Sequence, residues 1–296
     1  MTRRTSCHLA RSLAIAAAFS ACSLLPGSHR PERDISAFVS AALLPSNRVV
    51  FSFKNTAYRP AQGFAAFPDG GISKFTADDN ILGVFDVGTS TLRILAREKN
   101  TRWTNDQGHF YIAAVNGALA LVGRGGQTRD MIGTLNTNYL LNVDDGSMRE
   151  VRYAEALARN GQVATATYLV SPAGHMVFVT ASPTAQRGAE EGQIWLRSPD
   201  DSYRLVAGTH HYEGVENGEV IFWLLPTREF KAYNMTTHET RSLPGHKGRG
   251  YVDITEGVIV PMTGEQVSLG HKVNGTWSYA PLPITKDAVR KARVSH

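Results

Sequence analysis

Residues 195–206 read WLRSPDDSYRLV: alternating apolar residues run into Ser-Pro-Asp-Asp-Ser and resume beyond it as Tyr-Arg-Leu-Val. Proline fixes its own φ, and Asp and Ser bond nearby backbone or tolerate left-handed φ. The middle is therefore a tight turn, and the flanks are strands folding back on each other. The same layout returns in VFDVGTSTLRIL (84–95), LLNVDDGSMREV (140–151), AYNMTTHETRSL (232–243) and SLGHKVNGTWSY (268–279). In four of the five an arginine holds the matching place after the turn: Arg93, Arg149, Arg204 and Arg241. Trp277 takes it in the last, and the intervals between these positions are 56, 55, 37 and 36 residues.

A second kind of hairpin lies between these: FAAFPDGGISKF, RWTNDQGHFYIAAV, YLVSPAGHMVFV, GVENGEVIFWLL and VDITEGVIVPM, each with a glycine-containing turn. Two linked hairpins make a four-stranded unit, and such units recurring every ~40–50 residues point to propeller blades. Strands such as VIFWLL (220–225) are apolar on both sides, as blades with both faces covered require. The expected fold is an all-β propeller of four-stranded antiparallel blades, six in number with five the alternative, residues 35–59 helping to close the ring.

Ser171-Pro172-Ala173-Gly174-His175-Met176-Val177-Phe178, followed by QIWLRSPDDSYRLV, is similar to the TolB-type, WD-like propeller repeat. Pro68-Asp69-Gly70-Gly71 followed by ILGVFDVGTSTLRIL is a second match, and the resemblance spans about residues 60–283. What it implies is fold rather than chemistry, because propellers host many functions. By analogy it also implies a place in an outer-membrane assembly.

The chain opens with Arg3, Arg4 and Arg11, the apolar run Leu13 to Phe19 and the small pair Ser20-Ala21, then Cys22. That is the layout of a secretory leader and is shorter than the ~20 apolar residues of a membrane span. Phe19-Ser20-Ala21-Cys22 resembles the bacterial lipobox, which implies a lipid on Cys22, although an aliphatic residue is usual where Phe19 stands. Ser23 after the cysteine resembles outer-membrane sorting; cleavage after Ser20 and simple secretion is the alternative. The expected division is 1–21 leader, 22–34 tether, 35–283 propeller and 284–296 basic tail. The expected location is the envelope, lipid-anchored at the outer membrane and facing periplasm or surface, or otherwise secreted or periplasmic.

Cys7 and Cys22 are the only cysteines, so the folded body has no disulfide framework, no thiolate zinc site and no cysteine nucleophile. The net charge of +5 dissolves on inspection. Three arginines belong to residues 1–21, and Lys286, Arg290, Lys291 and Arg293 against Asp287 give the tail a surplus of three. The body between is close to neutral, which argues against a nucleic-acid partner.

No Gly-x-Ser-x-Gly, His-Glu-x-x-His or Gly-x-x-x-x-Gly-Lys motif is present, and no cofactor or metal is expected. Thr104 to Tyr111 resembles the Asp-box of sialidase-type propellers, in which it braces a turn. His210 and His211 fall between one hairpin and the next, where loops surround a channel mouth; as neighbours in extended chain they would face opposite ways. The long loops 123–138 and 181–192 should emerge on one face with AREKNTRW and PGHKGRGY. That face would gather Arg97, Lys99, Arg102, Arg124, Arg129, Arg187, Lys247 and Arg249 around a rim, with Glu98 among the acids diluting it. Arginine forks suit carboxylates, so the rim would hold an acidic segment of an envelope protein, or an anionic glycan.

Two functions follow as expectations. One is a non-catalytic envelope propeller holding a protein partner on its loop-bearing face. The other is a propeller that binds or hydrolyses glycans at the channel mouth, for which converging acids would be needed.

Overall fold

A computed structural model describes residues 32–59, 74–99, 109–124, 137–151, 163–181, 192–224, 227–246, 248, 257–260 and 263–294. The leader, loops 125–136 and 182–191, most of the Asp-box, and Pro68 to Gly71 lie outside the described residues.

The chain divides into two units. In the first, Met1–Ile35 with Thr56–Ala77, strand β1 (Arg33–Asp34) pairs antiparallel with Tyr58 and Ala57 of β3 (Arg48–Arg59). The second unit, Ser36–Asn55 with Asp78–His296, is built of antiparallel meanders. The first sheet runs β2 (Ala37–Leu44), β3, β4 (Lys74–Asp86) and β5 (Thr91–Lys99). The second runs β6 (Phe110–Asn116), β7 (Leu119–Arg124), β8 (Thr137–Asn142) and β9 (Met148–Val151).

A longer run follows: β10 (Val163–Leu169), β11 (Met176–Ala181), β12 (Gly192–Arg197), β13 (Tyr203–Glu216), β14 (Glu219–Leu224), β15 (Glu229–Asn234) and β16 (Thr240–Ser242). Its long member β13 serves two sheets. Tyr203, Arg204 and Leu205 pair with β12 and close the third, whereas His211, Tyr212 and Gly214 pair with β14 and open the fourth. The fifth sheet is β17 (Gly257–Ile259), β18 (Ser268–Val273) and β19 (Thr276–Pro281).

All five hairpins of the WLRSPDDSYRLV kind form, as β4–β5, β8–β9, β12–β13, β15–β16 and β18–β19. Local turn chemistry accounts for them. Asn274-Gly275 has φ of 49° and 79°, the left-handed pair that a two-residue hairpin needs. The first described hairpin of the second sheet turns at Gly117 and Ala118, where Asn116 pairs with Leu119 and Gly117 takes a φ of 60°. The turn expected at Asn105 to Gly108 lies outside the described residues. Residues 35–59, expected to help close the ring, contain the first two strands of the first sheet.

Adjacent residues on these strands face different cores, which explains their two-sided apolarity. Val50, Leu82 and Val84 pack with Phe110, Ala120 and Leu141 of the second sheet. Phe51, Ile81 and Ile94 pack instead with Val267 and Leu269 of the fifth. Leu121 and Val151 meet Leu169, Met176 and Phe178 of the third sheet, and Val177, Ile194 and Leu196 meet Val220 and Phe222 of the fourth. First strands touch first strands, β17 against β2, β2 against β6 and β6 against β10. The second unit is thus an all-β propeller fold, with sheets stacked as blades through shared cores. The described strands make four hydrogen-bonded sheets, the seven-stranded β10–β16 sheet supplying both the third and the fourth packed layer through β13.

The repeated arginines join consecutive blades. Arg93 of β5 donates to the carbonyls of Val143 (2.7 Å) and Asp144 (3.2 Å), in the turn before the next sheet's last strand. Arg149 of β9 reaches the equivalent turn one sheet on, at Asp201 Oδ2 and the Pro199 carbonyl, both 3.2 Å. Arg204 lies close enough to Tyr233, again one sheet on, to act on its phenol. Arg241 breaks the series and pairs with Glu219 of its own sheet at 2.6 Å. Carbonyls bonded by a guanidinium contribute about 1–2 kcal/mol at a half-exposed seam. Arg93→Ala is expected to lower the denaturant midpoint by that amount with an unchanged slope, checked by urea unfolding; no change in midpoint would remove the seam from the account.

Residues 284–294 pack into the second unit. Helix α1 (Lys286–Lys291) is capped by the Thr285 side chain, which accepts the Ala288 amide. Ile284 and Val289 are buried among Phe51, Ile94 and Leu269, and Val294 makes a parallel bridge to Ile94.

Candidate functional site

The inner strands are where this fold leaves room. β6, β10 and β13 line a cavity of about 420 Å³ through Ala114 and Asn116, Tyr168 to Val170, and Tyr212 to Val215. Register shifts put bulges on all three of these strands, between Ile112 and Ala114, between Ala164 and Ala166 and between Tyr212 and Gly214. A bulge bends its strand and re-aims the side chains beside it. The β2 hydroxyl of Ser40 accepts the Ile112 amide at 2.7 Å, satisfying a donor at the bend.

Tyr168 dominates the cavity wall. Its side chain is backed by Tyr212, with ring centroids 4.4 Å apart and planes tilted by 33°, yet Tyr168 remains 40% exposed. Glu213 gives the lining its one formal charge, and its carboxylate reaches toward Gly248. The lining residues sit at the ends of their strands that lead into the tight turns, opposite the ends that lead into the long loops. Neither Tyr168 nor Tyr212 stands out in the sequence, because TATYLV leads into an ordinary apolar hairpin and THHYEG falls where a loop was expected. The faint signal was an aromatic in the same place on two successive first strands.

A second hollow of about 240 Å³ is lined by Arg48, Val84, Asp86, Thr89, Thr91 and Arg93. Its arginines are committed to the seam between the first two sheets, Arg48 to Asp144 at 2.6 Å and Arg93 to turn carbonyls. The Asp86 carboxyl is held below its ordinary value chiefly by the Thr89 amide. This is a braced turn.

The expected rim divides as follows. Cys22, Arg102, Arg129, Arg187, Lys247 and Arg249 lie outside the described residues. Arg97 binds Asp79 at 3.2 Å and donates to the carbonyls of Val289, Arg290 and Ala292, so it docks the tail helix. Arg124 pairs with Glu98 at 3.2 Å and sits 6.0 Å from the Phe110 ring centre. Both rim arginines are thus committed within the protein.

His210 and His211 lie within β13 and not in a loop, because that strand continues unbroken from one sheet to the next. They face opposite ways, His210 edge-on to Phe222 and His211 stacked on Trp223 at 4.1 Å.

Ser171 and His175 of the repeat motif bond each other, Oγ to Nδ1 at 2.9 Å, and the same oxygen accepts the His175 amide at 3.1 Å. Burial pushes the His175 imidazole below its ordinary value, opposed by Asp200 and aided by His238. A serine held inside one turn by its own base's backbone is a brace, not a poised nucleophile. Among the described residues no three His, Cys, Asp or Glu side chains gather as a metal site.

No protein family and no curated protein sequence matches the chain. Solved structures give a likeness at low similarity. Acylaminoacyl peptidase of Pyrococcus horikoshii is 11% identical, with 85% of this chain and 46% of that one covered and a TM-score of 0.34; the chain spans under half of that protein. The β-propeller domain of the Trilobed protease from Pyrococcus furiosus is 10% identical, with 85% and 83% covered and a TM-score of 0.34. Sqt1 of Saccharomyces cerevisiae is 12% identical, with 83% and 73% covered and a TM-score of 0.32. At these values the likeness carries no argument about activity, and the fold rests on the sheets themselves.

Proposed function

We propose that the chain is a non-catalytic cell-envelope lipoprotein with TolB-type repeats, anchored through Cys22, whose propeller holds a protein partner. The supporting observation is Tyr168, a large aromatic left 40% exposed in an inner-strand concavity and stiffened by Tyr212. Tyrosines of this kind, rigid and able to bury much apolar area, are enriched where protein interfaces concentrate their energy. The reading moves the contact from the loop-bearing face to the tight-turn ends of the inner strands, since the two described rim arginines are already engaged.

Photo-cross-linking in intact cells tests it. A photoreactive residue at Tyr168 is expected to capture one envelope protein that the same probe at Leu205, an exposed outer-strand position, does not. Deleting 125–136 and 182–191 should leave that capture in place. Equal capture from both probes, capture of glycan instead of protein, or loss on loop deletion would overturn the site. Mass analysis of the mature N-terminus is expected to give acylated Cys22; an unmodified chain beginning at Ala21 would replace the anchor with simple secretion.

A further inference from the structure

Strand β19 reads TWSYAP and carries no charged residue. The other outer strands are guarded. β9 carries Arg149 and Glu150, β16 carries Arg241, the part of β13 that pairs with β12 carries Arg204, and β5 is bridged by Val294 of the tail. In β19 the place of the recurring arginine is taken by Trp277. Its ladder with β18 runs from Val273 opposite Thr276 to Ser268 opposite Pro281 without a register shift, so no bulge turns the edge away. Among the described strands β19 pairs with β18 alone. Thr276, Ser278, Tyr279, Ala280 and Pro281 are all exposed, Tyr279 at 57%. A straight, uncharged, aromatic edge is the kind that recruits another strand.

The backbone sets which residues are available. Leu282 donates to the Val267 carbonyl at 2.9 Å, one step beyond the last paired residues of the strand. Bonded and unbonded pairs alternate in an antiparallel ladder. Thr276, Ser278 and Ala280 therefore bond β18, while Trp277, Tyr279 and Pro281 turn their backbone groups outward. Proline has no N–H, which leaves Trp277 and Tyr279 able both to donate and to accept. Two copies related by a two-fold axis through Ser278 meet this requirement: Trp277 of each pairs with Tyr279 of the other, both backbone bonds being exchanged at each pairing.

The side chains fit the same register. Trp277 and Tyr279 stand on one face, their rings parallel to within 12° and their centroids 6.2 Å apart. Across from Tyr279 on β18 is Gly270, which has no side chain to crowd the ring; across from Trp277 is Lys272, its Nζ 5.8 Å from the ring centre. Pairing through Ser278 lays Trp277 of each copy beside Tyr279 of the other, an aromatic cross-strand pair of the kind that stabilises sheets. The two Lys272 side chains stay three strand spacings apart, about 14 Å or more. An axis through Tyr279 would instead set Trp277 against Pro281, which has no amide to return.

The geometry points to a second copy of the chain as the occupant of this edge: two propellers join in a two-fold dimer through an antiparallel β19–β19 ladder centred on Ser278. The inference stands apart from the partner-binding reading, since it uses a different strand on a different sheet. A two-fold pairing consumes both edges and stops at two. Confined to two short strands, the contact is weak, with a Kd on the order of 10 μM.

The test uses the full chain with Cys7 and Cys22 changed to Ser. Sedimentation from about tenfold below to about tenfold above that concentration is expected to show monomer passing to dimer and nothing larger. Ser278→Cys should form an intermolecular disulfide in air, because an unbonded antiparallel pair brings its Cα atoms to about 4.5 Å. Thr276→Cys should stay reduced, its counterpart lying about 14 Å along the strand. Trp277→Arg, which restores the residue that the other hairpins carry there, and Tyr279→Lys should each weaken dimerisation by about tenfold or more with the parent's circular dichroism retained. Tyr279 is exposed, so its variant decides the matter should Trp277→Arg unfold. A monomer throughout, growth beyond the dimer, equal cross-linking from positions 276 and 278, or a dimer untouched by Tyr279→Lys would overturn the inference. None of these results bears on capture from position 168, which tests the partner-binding reading by itself.

Discussion

Removing residues 284–296 is expected to cost the fold about 5 kcal/mol or more, because the deletion strips the first core of two fully packed aliphatic side chains worth about 2–5 kcal/mol each. Ile284 and Val289 are 2% and 0% exposed. The loss does not stop there. Arg97 would lose three carbonyl acceptors in the tail, and Asn55 and Ser36 would lose the Arg290 guanidinium, now 3.0 and 2.8 Å from them. The outer strand β5 would regain a bare edge where Val294 now bridges Ile94, and bare edges recruit other chains. A total of this size is a large share of ordinary domain stability. Truncation should therefore yield a chain that is aggregated or unfolded at room temperature, read by circular dichroism and sedimentation. Milder variants separate the causes: Val289→Ala should cost about 2 kcal/mol by cavity formation alone. A truncated protein that melted like the parent would show that the tail is an appendage.

Asp201→Asn should be the most damaging single change outside the apolar cores. Arg197 is 0% exposed and pairs through Nη2 with Asp201, while Arg149 of the preceding sheet holds the other oxygen of the same carboxylate at 3.2 Å. Asparagine preserves the size of the side chain and tolerates the positive φ of 66° at this position, so the substitution isolates the charge. It takes the bonded carboxylate from a buried guanidinium and leaves it the weaker attraction of Asp200, at a cost of about 3 kcal/mol. Arg149→Ala breaks only the half-exposed arm and should cost under about 1 kcal/mol. Replacing Arg197 with Met in the Asp201→Asn background should recover most of the loss, because an apolar chain of similar volume needs no partner. Urea unfolding of the four proteins decides it: equal losses for Asp201→Asn and Arg149→Ala would mean that the buried ion pair contributes nothing.

The hairpins were legible in the sequence because a turn is set within four or five residues. Ser-Pro-Asp-Asp and Asn-Gly impose their geometry wherever they stand, and alternation on either side fixes the strands. The blade order was legible for the same reason, as the regular return of one local pattern. What joins blades was not, although its signature was visible. The recurring arginine could be counted, but the targets of Arg93 and Arg149 lie some 50 residues away, and no local rule gives that distance.

How the basic tail docks was not legible, for a physical reason. Four cations in eight residues suggest a solvated segment, yet Arg290 is spent on Asn55 and Ser36, and Lys286 on Glu265 at 2.6 Å. The histidine pair misled because β13 crosses between sheets without a loop. The site was the least legible part. Basic residues were collected by the face on which their loops emerge, and charge in a sequence does not tell whether a guanidinium is free. Arg97 and Arg124 are not. Tyr168, packed on Tyr212, is set apart from the core tyrosines by bulges and partial exposure, both tertiary facts.

Propeller closure itself can be tested with one covalent bond. Phe38 of β2 donates its amide to Gly264 at 3.1 Å, and a Cβ built on Gly264 would stand 3.4 Å from that of Ala37, close to the ~3.5–4.5 Å of a disulfide. In a chain with Cys7 and Cys22 changed to Ser, Ala37→Cys with Gly264→Cys is expected to oxidise fully in air while folded and to raise the unfolding midpoint. Both thiols remaining free in the folded protein would mean that the first and last sheets are not neighbours, and the stacked-blade account would be wrong.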